Sequence, residues 1–271
     1  MVAGLRETRP LGCINCLRTL PYLEAWDERY RGDGLTIVGV HSPEFGFERN
    51  AGNVRRAIGA NGIRYPVVQD NELATWNAWG NQYWPAEYLI DAGGQVRYAT
   101  FGEGHDEETE AAIRALLAER GDALAAARAR PHGVTPVSSR TTPETYVGAE
   151  RAAGFLGTPP SLGTRTYRPP ASLPPSRFAL GGRWTIGPQA ATAGADATID
   201  ATVQARFVYL VLSPPEGRSG AVTVTLDGGR RRRIAVPTQR LYRLVALGEN
   251  GRHRLRVAVS AGTSAYAFTF G

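Results

Sequence analysis

Lysine is absent from this 271-residue chain, so all 31 of its basic residues are arginine. Together with abundant alanine, this reads as GC-rich coding bias. The net charge of +6 is therefore weak evidence for nucleic acid, and no basic helix with interleaved aromatics supports such a partner. No apolar run is long enough to span a membrane. The opening "MVAGLRETRPLG" lacks the apolar core of a signal peptide. Cysteine is scarce: the two present cannot make a disulfide framework, but they can make one redox pair. Hydrophobic content of 42% and charged content of 21% are ordinary for globular protein and leave ample material for a core.

Three regions differ in pattern. Residues 13–130, within a first domain of 1–130, alternate helix and strand. Leu17, Leu20, Leu23, Ala25, Trp26 and Tyr30 recur at close to helical spacing after Cys13, and Pro21 is expected to kink that helix rather than end it. "GLTIVGVHS" (34–42) and "RYPVVQD" (64–70) read as strands, and 50–62 and 71–80 as helices. "AEYLIDAGGQVRYATFGEG" (86–104) reads as two strands around an Ala-Gly-Gly turn. Residues 106–130 read as a helix, acidic first and basic last. Residues 131–176, rich in Pro, Gly, Ser and Thr, read as an extended linker wrapping one of the domains, with 142–155 as a short docked helix. Residues 177–271 read as short strands between turns, a β-sandwich or jelly roll.

Chemistry concentrates near the start. Cys13 and Cys16 open a helix, where backbone N–H groups and the helix dipole stabilise a thiolate. Cys13 would attack a substrate disulfide and Cys16 would resolve the mixed disulfide. Half of a zinc site is the rival reading, but it needs two more ligands, no other cysteine exists, and the four histidines are scattered. Two inert buried thiols are the other. In "YWPAEYLID" (83–91), Pro85 precedes a strand; the local expectation is an ordinary trans, strand-entry proline. Glu44 in "HSPEF" is either a solvated loop acid or a proton donor and acceptor for Cys16. Of Trp76, Trp79 and Trp84, all of which suit a core, Trp84 is the best candidate for a substrate-facing surface. "RRRR" (230–233) is either a solvated hairpin tip or a patch for acidic polymers or anionic surfaces. His41 and His105 are assigned no role.

The segments "CINCLRTLPYLEAWDERY", "GLTIVGVHSPEF", "DNELATWNAWGNQYWPAEYLIDAGGQVRY" and "FGEG" resemble the thioredoxin-like domain of DipZ-type proteins, within the TlpA-like group of extracytoplasmic thiol–disulfide oxidoreductases. "TPETYVGAERA", "ALGGRWTIGPQAAT" and "AYAFTFG" resemble the C-terminal part of that family, which looks like a carbohydrate-binding-module-type jelly roll. The resemblance implies an α/β thioredoxin-like domain followed by an all-β jelly-roll or sandwich domain. It implies a redox-active Cys13–Cys16 disulfide with no other cofactor, a cis-Pro85, and a catalytic role for Glu44. It places the protein outside the cytoplasm, acting on protein disulfides as reductant or electron relay, in some members for cytochrome c maturation. The implied partners are a CcdA- or DsbD-like membrane electron donor and a glycan for the β domain.

One departure stands out. The family has a strand ending in Phe-Trp before the cysteines, and "MVAGLRETRPLG" replaces it. We expect that strand to be lost, through a displaced start or a frameshift, so that the chain is truncated and its activity reduced. Two rival functions follow. One is a redox-impaired binding protein that uses the β domain, with Trp184, Tyr242 and Tyr266 as candidate glycan contacts. The other is a thiol peroxidase, although "LGCINC" lacks the Thr/Pro-rich turn of such enzymes.

Overall fold

The computed structural model describes residues 3–8, 13–119, 127–134 and 141–271. The chain forms two compact units, Met1–Thr135 and Pro136–Gly271.

In the first unit, β1 (Ala3–Thr8) precedes α1 (Ile14–Tyr30), β2 (Leu35–His41), α2 (Ala51–Ala60) and β3 (Val67–Gln69). Then come α3 (Ala74–Ala78), β4 (Ala86–Ile90), β5 (Val96–Phe101) and α4 (Asp106–Ala118). β1, β2 and β3 form a parallel sheet in that order, and β4 and β5 an antiparallel hairpin. β4 runs beside β1.

The strand expected to be lost is present. Ala3–Thr8 pairs in parallel with β2, from Ala3 against Leu35 to Thr8 against Val40. Its sequence has little β propensity, but β2 offers a complete ladder edge, and tertiary pairing overrides a weak local preference. The expected loss of activity for want of that strand therefore has no structural basis.

α1 buries Leu23, Trp26 and Tyr30, at spacing i, i+3, i+7, against Leu35 and Ile37 of β2 and Leu89 of β4. α4 adds Ile113, Leu116 and Leu117 to the same core. Pro21 lies inside α1, and the helix continues through it. α4 is shorter than the expected 106–130. Residues 127–130 are not helical, and the Ala129 N–H donates to the Glu110 carboxylate at 2.7 Å. Tyr30 donates to that same oxygen at 2.5 Å. A buried carboxylate with two donors holds the returning chain more firmly than one more helical turn would. The remainder of the expected helix, 120–126, lies outside the described residues.

The second unit is mostly β: β6 (Thr145–Tyr146), β7 (Gly163–Tyr167), β8 (Arg177–Ile186), β9 (Ala191–Ala193), β10 (Thr198–Ser213), β11 (Gly220–Leu226), β12 (Arg232–Val236), β13 (Arg240–Val259) and β14 (Ser264–Phe270). β10 pairs with β13 along one edge. Its other edge is shared, by β8 up to Thr202 and by β14 from Val208. β14 pairs with β9, and β9 with β8, so these four strands close on themselves as a small barrel. Its interior is filled by Phe178, Leu180, Trp184, Ile199, Leu210 and Phe268 among others.

Residues 141–176, read as a linker, are part of this unit. The Thr142 N–H donates to Gln204 O and the Val147 N–H to Tyr266 O, both at 2.8 Å; Leu156 donates to Phe178 O at 2.7 Å. These bonds also exclude the expected helix over 142–155, because its N–H groups are spent on other strands. Gly148 fits against the backbone of 188–190, where a Cβ would lie 2.2 Å from the Gln189 carbonyl carbon. In β8, Gly182 has φ +76 and comes so close to Asp196 that a Cβ would lie 2.1 Å from its carbonyl oxygen.

The residues offered as glycan contacts are mostly core. Trp184 is fully buried and its indole donates to Gly181 O at 2.9 Å. Tyr242 is buried with its hydroxyl on Thr238 O at 2.6 Å. Only Tyr266 is partly exposed. In a closed β unit of this size the largest aromatics are needed to fill the interior.

Candidate active site

Cys13 is the N-cap of α1. Its backbone is extended (φ −90, ψ 111), and its Sγ accepts the Cys16 N–H at 3.2 Å. A sulfur thus takes the place usually held by a Ser, Thr or Asp oxygen. It satisfies one of the orphan donors of the first turn, and a thiolate there accepts the same bond more strongly. Both sulfurs are thiols rather than a disulfide and both are buried; Cys13 retains 7% exposure and Cys16 1%. Attack by Cys13 before Cys16 fits that order of access. Among the described residues, no group of three or more His, Cys, Asp or Glu is placed to hold a metal ion.

The Trp84–Pro85 peptide bond is cis, against the local expectation of trans. The Trp84 carbonyl faces Cys13, 4.0 Å from its Sγ. Trp84 is half-buried. Its indole N–H donates to Ser42 O at 3.1 Å, and its ring lies 4.3 Å from that of Trp76. Trp79 instead meets the edge of Tyr88, with centroids 4.9 Å apart. The Ser42 hydroxyl donates to Asp70 at 3.1 Å. Asp70 in turn accepts the N–H groups of Thr75 and Trp76 at 2.9 and 2.8 Å, which starts α3. The loop after β2, the end of β3, α3 and the cis-proline loop are therefore one hydrogen-bonded assembly around Trp84.

Glu44 is half-buried in the loop after β2. Its backbone N–H and that of Phe45 both donate to one oxygen of Glu48, at 2.7 and 3.0 Å. Glu48 is fully buried, and its carbonyl meets the His41 imidazole Nε2 at 3.0 Å. That carboxylate fixes the loop that carries both Glu44 and the Ser42 carbonyl. The structure thus gathers Cys13, Cys16, Trp84 and Pro85 at the start of α1, and sets Glu44 on the adjoining loop.

Sequence reasoning missed Glu48, Asp70, Ser42 and a buried ion pair. Arg18, one helical turn after the cysteines, meets Glu103 of the loop after β5 at 2.9 Å. Burial raises the Glu103 carboxyl above its ordinary value, and Arg18 opposes that shift. Nearby Asp106 is also raised, again chiefly by burial. A usable signal existed for Asp70, an acid shortly before a predicted helix. None existed for Glu48 or for Arg18 with Glu103, which are brought together by the fold.

Two family models match the chain: "Redoxin" over residues 9–117 and "Thioredoxin like C-terminal domain" over 142–271. Protein DipZ of Mycobacterium bovis is 36% identical over 263 residues, covering 96% of this chain and 37% of DipZ. The chain thus spans little more than a third of that relative's length. The thiol-disulfide oxidoreductase YkuV of Bacillus subtilis is 28% identical over 109 residues, covering 40% of this chain and 73% of YkuV. A crystal structure of thiol:disulfide interchange protein DsbE from Chlorobium tepidum aligns with a TM-score of 0.39 at 21% identity, covering 42% of this chain and 79% of DsbE.

Proposed function

From the premise that this is a DipZ-like chain, a redoxin domain of the thioredoxin-like thiol–disulfide oxidoreductase family followed by a thioredoxin-like C-terminal domain, we propose that it reduces protein disulfides outside the cytoplasm. The Cys13 thiolate attacks one sulfur of the substrate disulfide. The other substrate sulfur leaves as a thiolate and takes a proton, and a mixed disulfide forms. The Cys16 thiolate then attacks the Cys13 sulfur. This releases the second substrate thiol and leaves a Cys13–Cys16 disulfide, so two electrons have passed to the substrate. Glu44 holds and returns the proton of Cys16. Trp84 and Pro85 present backbone to the bound substrate segment.

The observation that carries this reading is the placement of Cys13. Its sulfur caps α1 and faces the carbonyl before a cis-proline, and it is the more accessible of the two thiols. The oxidised pair is recharged by a CcdA- or DsbD-like membrane donor, and cytochrome c maturation is one setting for such a relay. We read the second unit as a jelly-roll module of the carbohydrate-binding type; with Trp184 and Tyr242 buried, Tyr266 remains as its candidate glycan contact.

The test is equilibration of the full chain with glutathione, together with turnover of insulin disulfides. A potential at or below the glutathione couple, with Cys16→Ser accumulating a mixed disulfide through Cys13 by mass spectrometry, supports the reading. A potential well above that couple overturns the reductant assignment. Trapping through Cys16 overturns the order of attack.

A further inference from the structure

The tract Arg230–Arg233 is not used by the thiol chemistry, and the fold gives it a setting. It begins at the turn after β11, where Asp227 (φ +50) and Gly228 (φ +71) reverse the chain, and runs into β12. Among the described residues β12 is the outermost strand of its sheet and pairs only with β11. Beside it lies the first part of β13. That part pairs with β10 on one edge, whereas β11 meets β13 only from Leu255 onward. Two strand edges without ladder partners among the described residues therefore flank a cleft of about 690 Å³.

Five arginines line it, Arg230, Arg231, Arg232, Arg233 and Arg243, and no acidic residue does. Arg232 is anchored by donating to the Leu244 carbonyl, a group left over by the bulged pairing of β13. All five are exposed, and none is in an ion pair among the described residues. Elsewhere on the same unit a carboxylate does reach an arginine, where Arg256 meets Asp200 at 2.6 Å. The cleft floor is apolar, with Val224, Leu226 and Ala246.

The charge of the whole unit points the same way. From Pro136 onward there are 17 arginines against seven Asp and Glu, a net +10, whereas the first unit carries 14 against 18, a net −4. A field of that sign draws anions to the cleft.

We propose that this cleft is a docking site for an acidic peptide segment in extended conformation, contributed by a partner protein. An extended peptide adds main-chain hydrogen bonds to an open strand edge and offers alternate side chains to the two faces. Glutamate or aspartate at every second position meets the guanidinium forks, which match a carboxylate with two parallel bonds. The apolar residues between them cover the floor. The same arginines repel the edge strand of a second copy of this chain, so the edge is closed to self-association and open to an acidic strand. A sugar ring finds no exposed aromatic on which to stack here.

The site is independent of the cysteines, so its test and that of the reductase reading fail separately. The probe is a fluorescein-labelled heptapeptide alternating Glu with Val and Thr, titrated into the full chain by fluorescence anisotropy at low ionic strength. Two controls keep the charge and lose main-chain donors: a Glu-Pro heptapeptide, in which each proline has no N–H, and an oligogalacturonate, which has none. Binding of the first peptide, weakened roughly tenfold or more in R231S/R233S/R243S and in R243S to a smaller extent, supports the proposal. So does roughly tenfold weaker binding of the Glu-Pro peptide. Unchanged insulin reduction and an unchanged thermal midpoint confirm that both variants are folded. Absence of binding, equal binding by the variants, or equal or tighter binding of the Glu-Pro peptide or the oligogalacturonate overturns it.

Discussion

The surroundings of Cys13 and the cleft beside β12 treat polar groups in opposite ways. Around Cys13 they are buried and matched: Glu48 accepts two N–H groups, Asp70 two N–H groups and a hydroxyl, and Arg18 lies against Glu103. Beside β12, five guanidinium groups of one sign stand exposed with no ion pair among the described residues. A satisfied buried network fixes geometry, because each member left without its partner would cost its desolvation. Exposed like charges fix nothing by themselves and gain most from a ligand of opposite sign. The first arrangement suits a reaction that needs two sulfurs held in order. The second suits recognition of a charge pattern.

The largest effect that separates the two regions is on turnover. Cys13→Ser should reduce insulin reduction to that of the reductant control, because the attacking thiolate is gone, while binding of the acidic peptide at the arginine cleft is unchanged. Cys16→Ser should lower turnover as far but accumulate mixed disulfide. If Cys13→Ser also weakened peptide binding, the two regions would not be separable.

The next effect concerns how the second unit is built. Gly148→Ala would place a methyl group 2.2 Å from the backbone of Gln189. The docked segment must then move and loosen the bonds of Ala149 to Gly187 O and Glu150 to Pro188 O. We expect a loss of about 3 kcal/mol from the second unit, measured by urea denaturation, with unit one unchanged. A segment that did not pack closely at Gly148 would give no loss at all.

A smaller effect probes the network around the redox helix. Trp84→Phe keeps most of the ring contact with Trp76 but removes the donor to Ser42 O. The expected cost is about 1–2 kcal/mol in the first unit's denaturation, for one carbonyl left without its partner. If the Trp84 ring serves the bound substrate as well as the loop, KM for a disulfide peptide should rise more than kcat falls.

Much of the first unit was legible because its signals are local. Cys13-x-x-Cys16 at a helix start, the apolar spacing of Leu23, Trp26 and Tyr30, and the strand run from Leu35 to His41 can each be read within a few residues. Ala3–Thr8 could not be read so, since its strand state comes from the edge that β2 offers. The segment 141–176 misled for a related reason. Its Pro and Gly content describes a chain without regular structure, and says nothing of the strands to which Thr142, Val147 and Leu156 donate. Within the site, Cys13 and Cys16 carried recognisable spacing, whereas the cis bond at Pro85 ran against the local expectation and was implied only by the resemblance. Glu48 and the Arg18–Glu103 pair depend on contacts across the fold, the latter 85 residues apart in sequence.

That pair also supplies the smallest effect, one that sets a buried charge against the exposed ones. Burial holds the Glu103 carboxyl above its ordinary value, with Arg18 acting in the other direction. The folded chain therefore keeps this proton at pH values where the unfolded chain has released it. Stability is thus fully present below the ordinary glutamate value and falls as pH rises through the higher folded one. Glu103→Gln removes this titration, so the variant's denaturation midpoint should lack that part of the decline as pH rises above the ordinary glutamate value. Asp106, raised by burial as well, would retain a slope of the same sign. Charge in the arginine cleft is constant over that range, since guanidinium groups do not titrate there. Acidic-peptide binding by Glu103→Gln should therefore follow the wild-type pH profile, set by the peptide's own carboxylates. A slope equal to wild type in Glu103→Gln would mean that Arg18 just offsets burial, and a steeper decline than wild type would mean that Arg18 outweighs it and the pair holds the helix by attraction rather than at a cost.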